Sequence, residues 1–300
     1  MDVEQCSGSI VTIPFGNHKI DALYYFPLTH EGPVETTLCI LRLHGILGNL
    51  LDETEHALPH HLAKEGYSSL TMNTLLANLG LFFGFGIFDD AMPQIDAACD
   101  FLRKVGFKNI VIAGHGLGGS MAIRYASLRG EDSQQLGIRG VIAIATSYSM
   151  PETVRRRWDR FGSEPTYDEM YRRANGIFHP EPGSDPAGDE TVVVKRAHGH
   201  TTLPEHTEVY TLKTWWALAS PEAEGPKTYL HIGKVPVPIL LVHGMHDDII
   251  EPREGEDLGV LAGIAGNKDV TQIYLDAAHS FEGKQNELGQ SVVDWLRERF

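Results

Sequence analysis

Three short stretches carry the residue types of acyl-transfer chemistry: Gly114-His115-Gly116-Leu117-Gly118, His243-Gly244-Met245-His246-Asp247-Asp248 and Asp276-Ala277-Ala278-His279. Small residues on both sides of a sharp strand-to-helix turn let one side chain project above a sheet edge, while the helix N-terminus offers N–H groups to a developing anion. The first stretch has the Gly-x-Ser-x-Gly spacing of such a turn, but its centre is Gly116 and carries no hydroxyl. Asp247 follows an apolar run and so falls at the carboxyl end of a strand, where open α/β sheets place their reactive groups. Asp248 is the alternative acid, because loop register is not readable to one residue. His279, on the loop after the last apolar run, is the natural base. Upstream, His44-Gly45-Ile46 ends another apolar run, and its glycine lets a backbone N–H turn inward. The N–H groups of Ile46 and Leu117 would then form an oxyanion hole. His44, Gly45 and His115 would line the same pocket, with His115 read as a flank of the turn and not as a substitute nucleophile.

Those residues need a sheet to hold them. Thr37 to Leu43, Ser68 to Met72, Asn109 to Ala113, Val141 to Ala145, Pro238 to Val242 and Val270 to Leu275 are short and mostly apolar, the pattern of strands covered on both faces. Helical periodicity separates several of them, over His56 to Glu65, Ile95 to Val105, Gly119 to Leu128 and Leu288 to Phe300. Alternation of this kind predicts an α/β fold with a mostly parallel sheet and helices on both sides. Ser9 to Phe15 and Lys19 to Phe26, broken by Gly16-Asn17, predict an opening hairpin. The rhythm stops over residues 147–234, too long for a loop, and the aromatic residues there predict a packed, mainly helical cap between core segments 1–146 and 235–300. Leu79 to Phe88 supplies Phe82, Phe83, Phe85 and Phe88 to pack under that cap, the first three as candidates for a pocket wall. Of the adjacent pair Trp215 and Trp216, Trp215 is assigned to the pocket roof.

Charge and composition narrow the partners. Lys and Arg total 25 against 40 Asp and Glu, a net charge of −15, which repels nucleic acid and anionic lipid. No stretch has the apolar length of a membrane span, no signal peptide is evident, and the chain reads as cytosolic. Its 3 cysteines, Cys6, Cys39 and Cys99, do not form a disulfide framework. His198, His200 and His206, with His56 and His60, lack a metal-binding motif, so neither metal nor cofactor is expected.

The order nucleophile position, acid, base, with His44-Gly45 upstream, resembles the α/β-hydrolase superfamily from about residue 20 to residue 300. The resemblance implies a serine hydrolase acting on esters, thioesters, lactones or amides of a small-molecule acyl substrate, with a cap and no metal. Such an enzyme works alone or as a homodimer. Gly116 departs from the family at the nucleophile, and without a hydroxyl no acyl-enzyme can form there. The glycine reads as an inactivating replacement in an otherwise complete site. The alternatives are a natural non-hydrolytic ligand-binding homologue, a lyase relying on His279, and attack by water that His279 activates.

Overall fold

The computed structural model describes residues 6–27, 37–46, 48–79, 82–83, 86–133, 135–179, 189–197 and 207–300. Strands β1 (Cys6–Phe15) and β2 (His18–Pro27) form the expected hairpin, with Phe15 opposite His18 across a two-residue turn. Gly16 turns there at φ +55°, a conformation glycine reaches without a Cβ clash. Strand β3 (Leu38–Leu43) leads through α1 (Glu53–Lys64) to β4 (Ser68–Met72). Two short strands, β5 (Asn78–Leu79) and β6 (Phe82–Phe83), precede α2 (Ala91–Val105). Then come β7 (Asn109–His115), α3 (Leu117–Arg129) and β8 (Ile138–Ile144).

The interruption holds α4 (Met150–Arg160), β9 (Ser163–Glu164), α5 (Tyr167–Phe178), β10 (Thr191–Arg196), β11 (Thr207–Thr211) and α6 (Leu212–Ala219). The chain closes with β12 (Ile239–Gly244), α7 (Pro252–Ile264), β13 (Val270–Leu275) and α8 (Gln285–Arg299). Eight strands make one sheet in the order β1-β2-β4-β3-β7-β8-β12-β13. Pairing is antiparallel through β1, β2 and β4 and parallel from β4 to β13.

Side-chain alternation divides the core between the two faces of the sheet. Leu38 and Ile40 of β3, Val111 and Ala113 of β7, and Leu240 and Val242 of β12 pack with Leu58 and Leu62 of α1 and Val292 and Trp295 of α8. Their neighbours Cys39, Leu41, Ile110, Ile112, Ile239 and Leu241 belong to the opposite core, with Ile95 and Leu102 of α2, Met121 of α3 and Leu258 of α7. Cys39 and Cys99 are free, buried and part of this second core. Among the described residues no helix is long and apolar enough to cross a membrane.

The inserted region contains a structural layer absent from the sequence reading. A second sheet, ordered β5-β6-β11-β10-β9, joins the insertion to the phenylalanine-rich segment. Phe82 and Phe83 form β6 and run parallel to Val209 and Tyr210 of β11. Phe88 is buried, while Phe85 lies outside the described residues.

Candidate active site

The turn between β7 and α3 is made possible by glycine packing. A Cβ on Gly114 would lie 2.1 Å from the carbonyl carbon of Gly118, and one on Gly118 would lie 2.1 Å from the Leu43 oxygen. Those contacts are backbone to backbone and cannot be relieved by a rotamer change. Gly118→Ala should therefore destabilise the chain by about 1–3 kcal/mol or more, read as a lowered urea midpoint. Unchanged stability would mean that β3 and the turn are further apart than described.

Gly116 sits between strand and helix at φ +53° and ψ −114°, and its N–H donates to the Ile144 carbonyl at 2.8 Å. Among the described residues beyond its chain neighbours, a Cβ here would meet a single atom within 4 Å, His279 Nε2 at 3.9 Å. Gly116 therefore points where a nucleophile would need to point, with the imidazole beside it. Leu117 contributes the first N–H of α3, a donor with no acceptor inside the helix. Half-buried Ile46 lies in the turn that follows β3, and this turn abuts the elbow through Gly45, whose Cβ would come within 3.3 Å of the His115 carbonyl oxygen.

His279 Nδ1–H donates to Asp247 Oδ2 at 2.8 Å. The other oxygen, Oδ1, accepts the N–H groups of Ile249 and Ile250, both at 2.9 Å. Burial pushes the Asp247 pKa upward, but the His279 and backbone hydrogen bonds outweigh it and hold the carboxyl below its ordinary value. Asp248 faces elsewhere: its Oδ2 accepts from Arg160 Nη2 of α4 at 2.9 Å. His243 supports the acid loop from below, donating Nε2–H to the Ile250 carbonyl at 3.0 Å. Sequence reasoning passed over this residue, although it closes the same strand that delivers Asp247.

His44 and His115 are each tied to neighbouring backbone by ring hydrogen bonds. The His44 ring is fully buried, donates Nδ1–H to Gly45 O at 2.9 Å and accepts from Thr74 N at 3.2 Å. It holds the loop and does not face a pocket, which corrects its assignment as a lining residue. Thr74, just beyond β4, and Asn73, whose Oδ1 takes the Leu50 N–H at 2.8 Å, were missed. Their signal was the Asn-Thr pair at a strand end facing the His44 loop.

His115 Nε2–H donates to the His279 carbonyl at 2.9 Å, so the elbow and the base loop are tied directly. Among the described residues Ala145 and Phe281 are the non-glycine positions with positive φ, +45° and +54°. One follows β8, the strand beside the elbow, and the other is two residues past His279, a clustering of strain seen at functional sites. Trp215 is a further correction. It is fully buried in the insertion, its ring 5.2 Å from Tyr167 and 6.1 Å from Trp158, and forms no pocket roof.

Burial lowers the pKa of His44 to about 4; burial and then the charge of His279 lower that of His115 to about 3. An unfolded histidine titrates near 6.5, so below that pH the unfolded chain binds protons that these folded positions refuse. Stability should fall as the pH drops from 6.5, by about 2 kcal/mol per histidine at pH 5. The depressed Asp247 acts outside this window: its contribution is present above 3.8 and is lost only as the pH falls through its lower folded pKa. Urea unfolding at pH 7 and pH 5 checks the expectation, with His115→Gln removing about 2 kcal/mol of the loss. Equal stability at the two pH values would contradict buried, neutral rings.

His60 packs its ring 5.3 Å from Tyr25, whereas His198, His200 and His206 lie outside the described residues. No cluster of metal-ligating side chains occurs among the described residues.

Residues 57–284 match the model of the alpha/beta hydrolase family. Among solved structures the chain is similar to Est1E from Butyrivibrio proteoclasticus, at 17% identity and TM-score 0.66, covering 98% of this chain and 99% of that one. The Pyrococcus furiosus esterase Pf2001 matches at 16% identity and TM-score 0.64, with 98% and 91% covered. The thioesterase domain from the curacin biosynthetic pathway matches at 12% identity and TM-score 0.59, with 96% and 98% covered. No curated protein sequence matches the chain.

Proposed function

The chain belongs to the α/β-hydrolase family, and from that premise we propose that its site is built to bind and cleave a carboxylic ester or related acyl bond of a small to medium apolar substrate, with the covalent step removed at Gly116. One observation carries the proposal: His279 Nε2, backed by buried Asp247, is the atom that a side chain on Gly116 would meet. The acyl carbonyl would lie over Gly116, its oxygen toward the N–H groups of Ile46 and Leu117. With serine at 116, His279 would take the hydroxyl proton as the oxygen attacks, then return it to the leaving alcohol. Asp247 would hold the ring and stabilise its cation.

With glycine there, the nucleophile available to the same base is water. His279 would accept its proton as hydroxide adds to the carbonyl carbon, and the tetrahedral intermediate would expel the alkoxide, which recovers that proton. No covalent intermediate forms on this route. Loss of a triad nucleophile costs several orders of magnitude, so the chain as it stands is an acyl binder with slow hydrolysis.

The fold shared with two esterases and a thioesterase supports acyl chemistry over other uses of the same pocket. A pure ligand-binding role is favoured by one observation: glycine holds the positive φ at 116 without strain, as a site relieved of catalysis would. The deciding test is an organophosphonate probe applied to the unaltered chain and to Gly116→Ser. Labelling of the serine variant alone supports the hydrolase reading, and a folded serine variant that takes no label supports the binder.

A further inference from the structure

Strand β12 carries a histidine next to its last residue, and this ring, His243, is buried. Alternation along the strand turns it to the face of Ile239 and Leu241, the side covered by α7. Its Nε2–H donates to the Ile250 carbonyl, so Nε2 holds the hydrogen and Nδ1 of the neutral ring holds the lone pair. Nδ1 faces the first turn of α7: a Cβ on buried Gly255 would come within 2.8 Å of it. The N–H groups of a first turn have no acceptor inside their helix, and that positive end disfavours a second proton on the ring. Burial acts in the same direction and is the largest influence lowering the His243 pKa, against the opposing charge of Asp247.

The same ring lies against the carboxylate that orients the base. His243 Nε2 is 3.5 Å from Asp247 Oδ2, the oxygen that accepts from His279 Nδ1–H at 2.8 Å. Two imidazoles therefore flank one carboxylate whose side chain is shut off from solvent. Ile250 joins the two sides. Its N–H donates to Asp247 Oδ1 while its carbonyl accepts from His243, so a rotation of the turn over residues 247–250 would break one bond or the other. Ile249 N–H adds a further donor to the same Oδ1.

A neutral His243 leaves the negative charge of Asp247 to the cation that forms on His279 during acyl transfer, whereas a cationic His243 would draw that charge to itself. We infer that His243 is a positioning residue of this site: it pins the turn that aims Asp247 at His279 Nδ1, so the hydrogen bond that orients the base depends on a ring that touches neither substrate nor reacting atoms. The inference rests on the acyl reading and extends it one residue behind the Asp247–His279 pair. Gly255 belongs to the same device, because a larger residue there would press on Nδ1 and drive the ring off Ile250.

The Nδ1–H proton of His279 is the readout, because its exchange with water can be followed by NMR on the unaltered chain without any substrate. His243→Phe keeps a flat ring and removes the donor; it should speed that exchange about tenfold or more, while the amide protons of β3 exchange as in the parent. His243→Gln, whose amide N–H can reach the Ile250 carbonyl, should restore most of the protection. Gly255→Ala keeps the histidine but crowds it, and should give part of the same loss. In the Gly116→Ser background, His243→Phe should lower kcat about tenfold or more and leave KM within a factor of about three. That kcat is taken per site titrated with the organophosphonate, so unfolded protein does not count toward the loss.

A folded His243→Phe chain with unchanged Nδ1–H exchange, or one in which the β3 amides lose protection to the same degree, would overturn the positioning role and leave the acyl reading intact. Should His243→Phe fail to fold, Gly255→Ala decides: parental exchange and parental kcat in that variant would overturn the role equally. A Gly116→Ser chain that takes no organophosphonate while the Nδ1–H proton still responds to His243→Phe would overturn the acyl reading instead.

Discussion

Gly116→Ser should raise the rate of short-chain aryl ester hydrolysis by roughly a thousandfold or more over the unaltered chain, and His279→Ala in that background should abolish the gain. The size follows from what is already in place. A serine Cβ would stand 3.9 Å from His279 Nε2, the one atom within 4 Å among the described residues beyond its chain neighbours, so a hydroxyl one bond further out falls in hydrogen-bond reach of the base. The Leu117 N–H and the Asp247 hydrogen bond to His279 do not depend on residue 116 having a side chain. The gain carries a stability cost: an L-residue at φ +53° is strained by about 1–3 kcal/mol, so the serine variant should melt a few degrees lower. Burst kinetics and a stable organophosphonate adduct on the variant, both missing from its parent, would show that turnover runs through an acyl-enzyme. A folded variant with neither turnover nor adduct would remove the hydrolase reading.

The same steric logic explains what the sequence made legible. Gly114 and Gly118 are glycines because backbone atoms stand 2.1 Å from where each Cβ would be, so the elbow is written in residue type. The alternation of Leu38 to Leu43 between two cores likewise follows from strand geometry alone. Contacts that depend on which way one side of a helix turns were not legible. Trp215 and Trp216 are adjacent, and only packing decides that the first enters the core of the insertion while the second stacks on Tyr171 and Phe178. The second sheet was missed for two reasons. Strands β5, β6 and β9 have two residues each, too short for any period, and Thr191 to Arg196 alternates exposed and buried inside a stretch read as helical. His44 was placed in the pocket from its position in a glycine turn, whereas the buried Thr74 across the sheet edge draws its ring inward.

The choice between two neighbouring carboxylates gives the other large expected effect. In the Gly116→Ser background, Asp247→Asn should lower kcat by about ten-thousandfold, while Asp248→Asn should change it by no more than about threefold. Asp247 is buried and receives the Nδ1–H of His279, so it fixes the tautomer that leaves Nε2 free to accept a proton. An amide in its place can present its NH2 to Nδ1, favouring the opposite tautomer with the hydrogen on Nε2, where it cannot serve as a base. Asp248 is partly exposed and engages Arg160, a surface pair whose loss is worth at most about 1 kcal/mol. The pH profile separates chemistry from folding. If Asp247 acts through His279, Asp247→Asn should depress kcat across the whole pH profile, and raising the pH should not restore it. A comparable loss in Asp248→Asn, or an Asp247→Asn enzyme within tenfold of its parent at every pH, would show that the carboxylate behind His279 is not the acid of this site.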